Sequence, residues 1–177
     1  MSLNQTEFQD DWFSRARTEA DKGVPTNERA SGVALFLVGV FLGLYFMLHQ
    51  VWSTGFFTAR FGMLEMFLLY GSLIAWLITS GLEGIFGQRL LSRLFDVFGG
   101  ILFIAISFIW LLAIFPFEFI HFADVLPDFL RFLVQWMSND IARGLMVIGI
   151  FVLAIAAIYS PVAYKFVRIE RSKSKRN

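Results

Sequence analysis

Four long apolar stretches fill most of this chain and constrain its fold more than any other feature. They cover residues 33–52, 61–80, 97–117 and 141–163. A bilayer has a hydrocarbon core about 30 Å thick, which a helix crosses in about 20 residues at 1.5 Å per residue. Each stretch has this length. The sequence therefore predicts an all-α integral membrane protein, a four-transmembrane-helix up-down bundle.

Composition points to the same class and excludes several kinds of chemistry. Hydrophobic residues make up 57% of the 177 residues and charged residues 16%, whereas ordinary soluble domains contain about 25% charged residues. The chain has no cysteine, so it has no disulfide, thiolate metal site or cysteine nucleophile. Phosphate-binding, dinucleotide-binding and catalytic-triad signatures are absent. We predict no catalytic residue and favour a protein that is not an enzyme.

Basic residues predict the orientation of the spans. Of the 15 Lys and Arg, only Arg60, Arg131 and Arg143 fall on the side of the first and third connections. The positive-inside rule assigns the more basic side to the cytoplasm. Both termini are therefore predicted to be cytoplasmic, in agreement with an even number of spans.

Three polar or amphipathic segments accompany the transmembrane domain, residues 31–164. Residues 1–30 form a cytoplasmic segment with an amphipathic helix at 4–22, which either docks a partner or lies in the headgroup layer. Residues 124–138, between the third and fourth spans, are predicted to form an outer interfacial helix. Residues 165–177 form a basic cytoplasmic tail, which we expect to contact lipid headgroups. Its basic residues are Lys165, Arg168, Arg171, Lys173, Lys175 and Arg176.

Small residues recur at helical spacing and predict where helices approach each other closely, since small side chains permit packing in lipid. The fourth span carries one every seven residues, which keeps a seam on one face. This seam packs either inside the monomer or against a second subunit. The predicted packing positions are Gly39, Gly43, Gly71, Ala75, Ala142, Gly149, Ala156 and Ala163.

Ionisable residues collect at the outer ends of the spans, namely His49, Glu65, Glu118 and His121, with Arg60 and Arg143 as candidate ion-pair partners. Such residues at membrane depth are costly, so each deserves a functional hypothesis. Three interpretations remain open. The cluster is structural and sits at headgroup level, or it binds a single metal ion through the two histidines and the two carboxylates, or a haem between the two histidines. In the third interpretation, Glu65 binds ions in an oligomeric channel.

The predicted function is a small non-catalytic multi-pass membrane protein, an accessory or scaffold subunit of a membrane assembly or a self-associating bundle. The first alternative is an oligomeric ion channel or transporter that uses the outer acidic cluster. The second is a haem- or metal-binding redox protein. No cofactor is predicted under the leading hypothesis. The expected partners are the lipid bilayer and other membrane subunits or further copies of the chain, and no nucleic acid.

Overall fold

The computed structural model describes residues 26–87 and 89–174. Within them the chain is helical, with α1 at Thr26–Val51, α2 at Met63–Gly84, α3 at Arg89–Phe95, α4 at Ile101–Ile114 and α5 at Asn139–Ser174. Three helical segments are long and apolar enough to cross a membrane, Arg29–Val51, Met63–Gly84 and Asn139–Ala157, and Ile101–Ile114 is a shorter apolar helix. The chain is therefore a membrane protein whose described part contains helices and no named strand. The predicted amphipathic helix at 4–22 lies outside the described residues.

The long helices pack in a row that follows the order of the chain. Helix α1 contacts α2, α2 contacts α4, and α4 contacts α5. Gly32 of α1 lies against Gly84 of α2, whereas at the other end of the pair the Tyr70 hydroxyl donates to Gln50 Oε1 over 2.9 Å. Matching the start of one helix with the end of the next shows that α1 and α2 are antiparallel.

The next two pairs have the same antiparallel register. Between α2 and α4, Trp110 contacts Glu65 and Phe103 lies against Gly71. Between α4 and α5, Phe108 lies against Gly149. Connections 52–62 and 115–138 are consequently at one end of the row, which we call the loop side. The opposite end, where α1 begins and α2 ends, is the termini side.

The third apolar stretch is not one uninterrupted helix. Helix α3 passes into a π-helical segment, Asp96–Gly100, before α4 begins. Gly99 has φ 127°, outside the helical region, and glycine adopts such a conformation without the penalty that a Cβ imposes. The Thr79 hydroxyl donates to Asp96 Oδ1 over 3.0 Å, which ties this segment to α2. The predicted span 97–117 thus begins inside a distorted turn.

The connection between α4 and α5 also differs from expectation. Instead of one helix over 124–138, it contains two short 3₁₀ helices, Phe119–His121 and Asp128–Leu133, joined by turns. A short helix gains few hydrogen bonds for the cost of its first turn, so such segments commonly adopt 3₁₀ geometry. Phe129, Phe132 and Trp136 are exposed on this connection. An apolar surface is therefore present there without an α-helix.

Candidate functional site

The two loop-side connections pair through their backbones and form a cap over the row of helices. Phe57 and Phe117 form an antiparallel bridge. The Glu118 N–H donates to the Phe56 carbonyl over 2.7 Å, and the Thr58 N–H donates to the Pro116 carbonyl over 3.0 Å. We call residues 52–62 and 115–123 the loop-side cap. The pairing satisfies backbone groups that would otherwise be costly to bury at the membrane.

Aromatic side chains fill the interior of the loop-side cap. The Phe56 ring is fully buried and lies 5.5 Å from the Phe117 ring and 5.2 Å from the Phe119 ring, centroid to centroid. Such spacings fall within the favourable range for aromatic pairs. Phe115, Leu69, Leu111 and Ala142 complete the buried cluster. The cap is thus packed onto the ends of α2, α4 and α5.

His49, at the end of α1, is 1% exposed and uses both ring nitrogens within the chain. Its Nε2 lies 3.2 Å from the Phe122 carbonyl oxygen, and its Nδ1 lies 2.6 Å from Thr54 Oγ1. A carbonyl only accepts, so Nε2 carries the proton, and a neutral ring then accepts from the Thr54 hydroxyl at Nδ1. The Tyr45 hydroxyl donates to the same Phe122 carbonyl. His49 therefore anchors α1 to the cap.

Glu65, in the first turn of α2, also accepts hydrogen bonds at both carboxylate oxygens. The Gly62 N–H donates to Oε2 over 3.0 Å, and the Trp110 indole N–H donates to Oε1 over 3.0 Å. The first bond caps the start of α2, where backbone N–H groups lack helical partners. The second links α2 to α4. Glu65 is 8% exposed, so most of its side chain is in contact with the protein.

Glu118 connects the loop-side cap to the start of α5 through Asn139. The Asn139 Nδ2 donates to Glu118 Oε1 over 2.9 Å, while Asn139 Oδ1 accepts from the Phe119 N–H over 2.8 Å. The Ser138 hydroxyl oxygen accepts from the Ile141 N–H over 3.3 Å, which is an N-cap contact. This reciprocal amide pairing fixes where the last helix begins.

His121 and the two arginines lie nearer the surface. His121 Nδ1 lies 2.9 Å from Asp124 Oδ2, and its side chain is 43% exposed. The Arg143 guanidinium sits 4.2 Å above the Phe115 ring, a distance suited to a cation–π contact, and it approaches Asp140 at 3.9 Å. Arg60 is exposed. Neither arginine has a described ion pair with Glu65 or Glu118, the pairings that the sequence suggests.

The candidate cluster is therefore divided into separate pairs rather than gathered into one site. His49 pairs with Thr54, Glu65 with Trp110, Glu118 with Asn139, and His121 with Asp124. Among residues 26–87 and 89–174, no three His, Asp or Glu side chains converge as metal ligands do. The hydrogen bonds of these pairs link the helices to each other and to the connections. The partners Thr54, Trp110 and Asn139 lie 5 to 45 positions away in the sequence, and only the capping position of Asn139 gives a local signal.

The predicted small-residue positions have different surroundings. A Cβ on Gly39 would lie 2.9 Å from a Leu77 methyl, one on Gly71 3.0 Å from the Phe103 ring, and one on Gly149 3.6 Å from the Phe108 ring. A Cβ on Gly43 would meet nothing within 4 Å. Ala75 and Ala142 are buried, Ala156 is half-buried, and Ala163 lies on the α5 backbone. Where described, the fourth-span seam thus faces α4 and the interior of the row.

The closest backbone approach among the described glycines occurs at a pair outside the predicted packing positions. A Cβ on Gly32 would lie 2.7 Å from Gly84 Cα, and one on Gly84 would lie 2.3 Å from the Val33 nitrogen. Real Cβ atoms do not tolerate such distances from backbone. Gly32 and Gly84 lie just outside the apolar stretches 33–52 and 61–80. The small-residue spacing inside those stretches therefore does not predict this contact.

The basic tail begins on the last helix. The α5 backbone continues to Ser174, so Lys165, Arg168, Arg171 and Lys173 lie on a helix. Lys175 and Arg176 lie outside the described residues. Headgroup binding by these residues stays a prediction.

The chain matches no protein-family model, no curated protein and no solved structure.

Proposed function

We propose that this chain is a small non-catalytic membrane protein that acts as an accessory or scaffold subunit of a membrane assembly, or as a self-associating bundle. It crosses the membrane four times and keeps both termini in the cytoplasm. The observation that carries the proposal is the pairing described above. His49, Glu65 and Glu118 each form a hydrogen bond with a residue of another structural element. These hydrogen bonds stabilise the fold.

The antiparallel row supports four crossings. Helices α1, α2 and α5 provide three segments of membrane-crossing length. The third crossing is the run from Arg89 to Ile114, which includes α3, the π-helical segment and α4. Because successive helices are antiparallel, four crossings return the chain to the side on which it began. The basic residues on that side of the spans, among them Arg29, Arg89 and Lys165, favour a cytoplasmic position for it.

The two alternatives require groups that are already engaged. A channel that uses Glu65 needs its carboxylate to face an ion path, but both oxygens accept hydrogen bonds from protein N–H groups. A haem held by both histidines needs a free imidazole nitrogen on each, but both His49 nitrogens have protein partners. The haem alternative therefore requires the contacts of His49 with the loop-side cap to break, and the channel alternative requires an ion path that reaches the hydrogen-bonded Glu65 carboxylate. The scaffold proposal requires no rearrangement.

The wide apolar faces of the helices provide surface for assembly. Along α5 the exposed side chains Ile141, Leu145, Ile148, Val152 and Ile155 follow alternating steps of four and three residues. This spacing places them on one stripe of the helix. The stripe runs beside the small residues Ala142, Gly149 and Ala156, and because its side chains are exposed it meets either lipid or another subunit.

Native mass spectrometry of the protein, extracted in mild detergent at its natural abundance, tests the proposal. We expect a complex of fixed stoichiometry that contains either other membrane subunits or further copies of the chain. Reconstituted wild-type protein and the Glu65→Gln variant should show the same background ion flux, because under this proposal Glu65 stabilises the fold and does not bind a transported ion.

Two outcomes would contradict the proposal and identify an alternative. The first is ion flux by the purified wild-type protein that is lost in Glu65→Gln while the variant remains folded. The second is a Soret band, or a stoichiometric metal, that is lost in His49→Ala. A chain that is only ever recovered as a monomer also counts against a scaffold.

A further inference from the structure

A cavity of about 200 Å³ lies between the helices, directly beneath the loop-side cap. Helices α1, α2, α4 and α5 all contribute to its wall, and the cap closes one end with Phe56, Phe117 and Phe119. The remaining lining residues are Leu42, Phe46, Leu69, Ser72, Leu73, Trp76, Phe108, Leu111 and Met146. The sequence gives no signal for this space, because its walls are ordinary apolar residues.

The lining is almost entirely apolar, and its polar side-chain groups are the Ser72 hydroxyl and the Trp76 indole N–H. The Ser72 hydroxyl donates to the Leu69 carbonyl of its own helix over 2.8 Å. The cavity therefore offers no free hydroxyl hydrogen to a ligand carbonyl, phosphate or hydroxyl group. Apolar cavities of this kind exclude water but accept apolar molecules; one of about 150 Å³ binds benzene. The matching ligand chemistry is a hydrocarbon segment.

On one side, the cavity lies between α1 and α5, whose described backbones are not in contact. Helices α1 and α5 stand at the two ends of the row, and within the described ranges no Cα atom of one comes within 8 Å of a Cα atom of the other. On this side the cavity is bounded by side chains, Leu42 and Phe46 from α1 and Met146 from α5. All three are only half-buried. A flexible chain in the surrounding lipid can therefore reach the cavity between them.

The depth of the cavity selects one leaflet. Leu42 and Phe46 lie in the second half of the apolar segment Arg29–Val51, toward the loop side. Met146 lies two turns into α5, which begins at the loop side, and Leu111 lies in the last turn of α4. These positions place most of the cavity within the leaflet next to the loop-side cap, and Leu73 and Trp76 extend it to the middle of α2. Acyl chains of that leaflet are the most abundant hydrocarbon at this depth.

We infer that the cavity binds an acyl-chain segment of a membrane phospholipid from the loop-side leaflet, which enters between α1 and α5. The occupant is a segment rather than a whole lipid, because drug-sized sites occupy about 300–1,000 Å³ and this cavity is smaller. The inference concerns a lipid site and does not depend on the scaffold proposal, since a monomer or a subunit can hold the chain equally well.

Photo-crosslinking tests this site. The full chain is reconstituted in phosphatidylcholine vesicles that contain a trace of phosphatidylcholine with a diazirine on one acyl chain, irradiated, and digested for mass spectrometry. We expect adducts on Leu111 and Leu73, which are 1% and 8% exposed and which lipid outside the row cannot touch. Ile106 and Ile109, which are 62% and 53% exposed, report labelling by the surrounding lipid.

Two variants and a matched control complete the test. Ser72→Leu fills the cavity from α2, and Met146→Trp closes the gap from α5; each should abolish the adducts on Leu111 and keep those on Ile109. Ile74→Phe, an enlargement at an exposed position of α2, should leave both unchanged. Circular dichroism and gel filtration identify a variant that fails to fold, in which case the other variant decides.

The inference is overturned if Ile106 and Ile109 of the folded wild-type protein are labelled while Leu73 and Leu111 are not. It is also overturned if the interior adducts persist in a folded Ser72→Leu or Met146→Trp variant. Interior adducts that are also lost in folded Ile74→Phe would show that an enlargement outside the cavity has the same effect as filling it, which likewise overturns the inference.

Discussion

Polar residues in the apolar part of this protein form hydrogen bonds that link one structural element to another. His49 joins α1 to the loop-side cap, Glu65 joins α2 to α4, and Glu118 joins the cap to α5. The sequence indicates that such residues are costly and deserve an explanation. It does not indicate their partners, because those partners come together only when the helices pack. A count of ionisable residues therefore predicts where the polar groups are, but not what they do.

The two histidines provide a matched comparison of buried and exposed sites. His49→Phe keeps an aromatic ring but removes both hydrogen bonds, and it leaves the Thr54 hydroxyl without its acceptor. We expect a loss of about 1–3 kcal/mol in the free energy of unfolding. His121→Phe removes an exposed pair with Asp124 and should cost less than about 1 kcal/mol. Unfolding in mild detergent, followed by circular dichroism, measures both. Equal losses would contradict the structural role of His49.

The contact between Glu65 and Trp110 can be measured directly with a double-mutant cycle. Glu65→Leu removes the acceptor oxygens, and Trp110→Phe removes the indole N–H. We expect the two changes to be non-additive, with a coupling energy of about 0.5–3 kcal/mol, as found for residues in contact. The same unfolding measurement on the two single variants and the double variant gives this value. Additive losses would show that the side chains do not interact.

At the level of elements, the sequence predicts the existence of the helices better than their contacts. Apolar stretches of sufficient length locate α1, α2 and α5, because the requirement to cross a bilayer fixes their length. The interruption at Gly99 is not predicted by length or hydropathy, since it depends on one backbone angle. The spacing of Gly39 and Gly43 suggests a shared packing face. The structure uses only the first of the two, because contact depends on how each helix is rotated toward its neighbour.

Substitutions at two glycines of α1 test the helix contacts. Gly32→Ala places a methyl group 2.7 Å from the backbone of Gly84, so α1 and α2 must separate, at a cost of about 1–3 kcal/mol. Gly43→Ala adds the same methyl group where nothing lies within 4 Å. Because alanine favours a helix by about 0.5–1 kcal/mol over glycine, this control should be neutral or stabilising. Thermal unfolding in detergent compares the stability of the two variants. A Gly43→Ala variant that is less stable than Gly32→Ala would contradict the close contact between Gly32 and Gly84.

At the scale of the whole molecule, the sequence predicts the class of protein but not the spaces between its helices. Membrane class follows from composition and from the length of the apolar stretches. The cavity does not follow from either, because Leu111 and Met146 resemble any other apolar residues until the helices are placed. Empty space is a property of the arrangement of four elements, and no single element encodes it.

Membrane topology can be tested cleanly because the chain has no native cysteine. Single variants Ala59→Cys and Gln135→Cys report on the loop side, while Ser2→Cys and Asn177→Cys report on the two ends. With four crossings, an impermeant maleimide should label the first two from one face of the membrane and the last two from the other. Labelling of positions 2 and 177 from opposite faces would require an odd number of crossings.

The agreement between chain order and spatial order has a consequence for biogenesis. Each long apolar helix finds its main neighbour in the long helix synthesised just before it, since α1 contacts α2, α2 contacts α4, and α4 contacts α5. Contacts between segments close in sequence form early and at low entropic cost. The polypeptide can therefore assemble progressively as it leaves the ribosome and enters the lipid, without waiting for its last segment to complete an interface with the first.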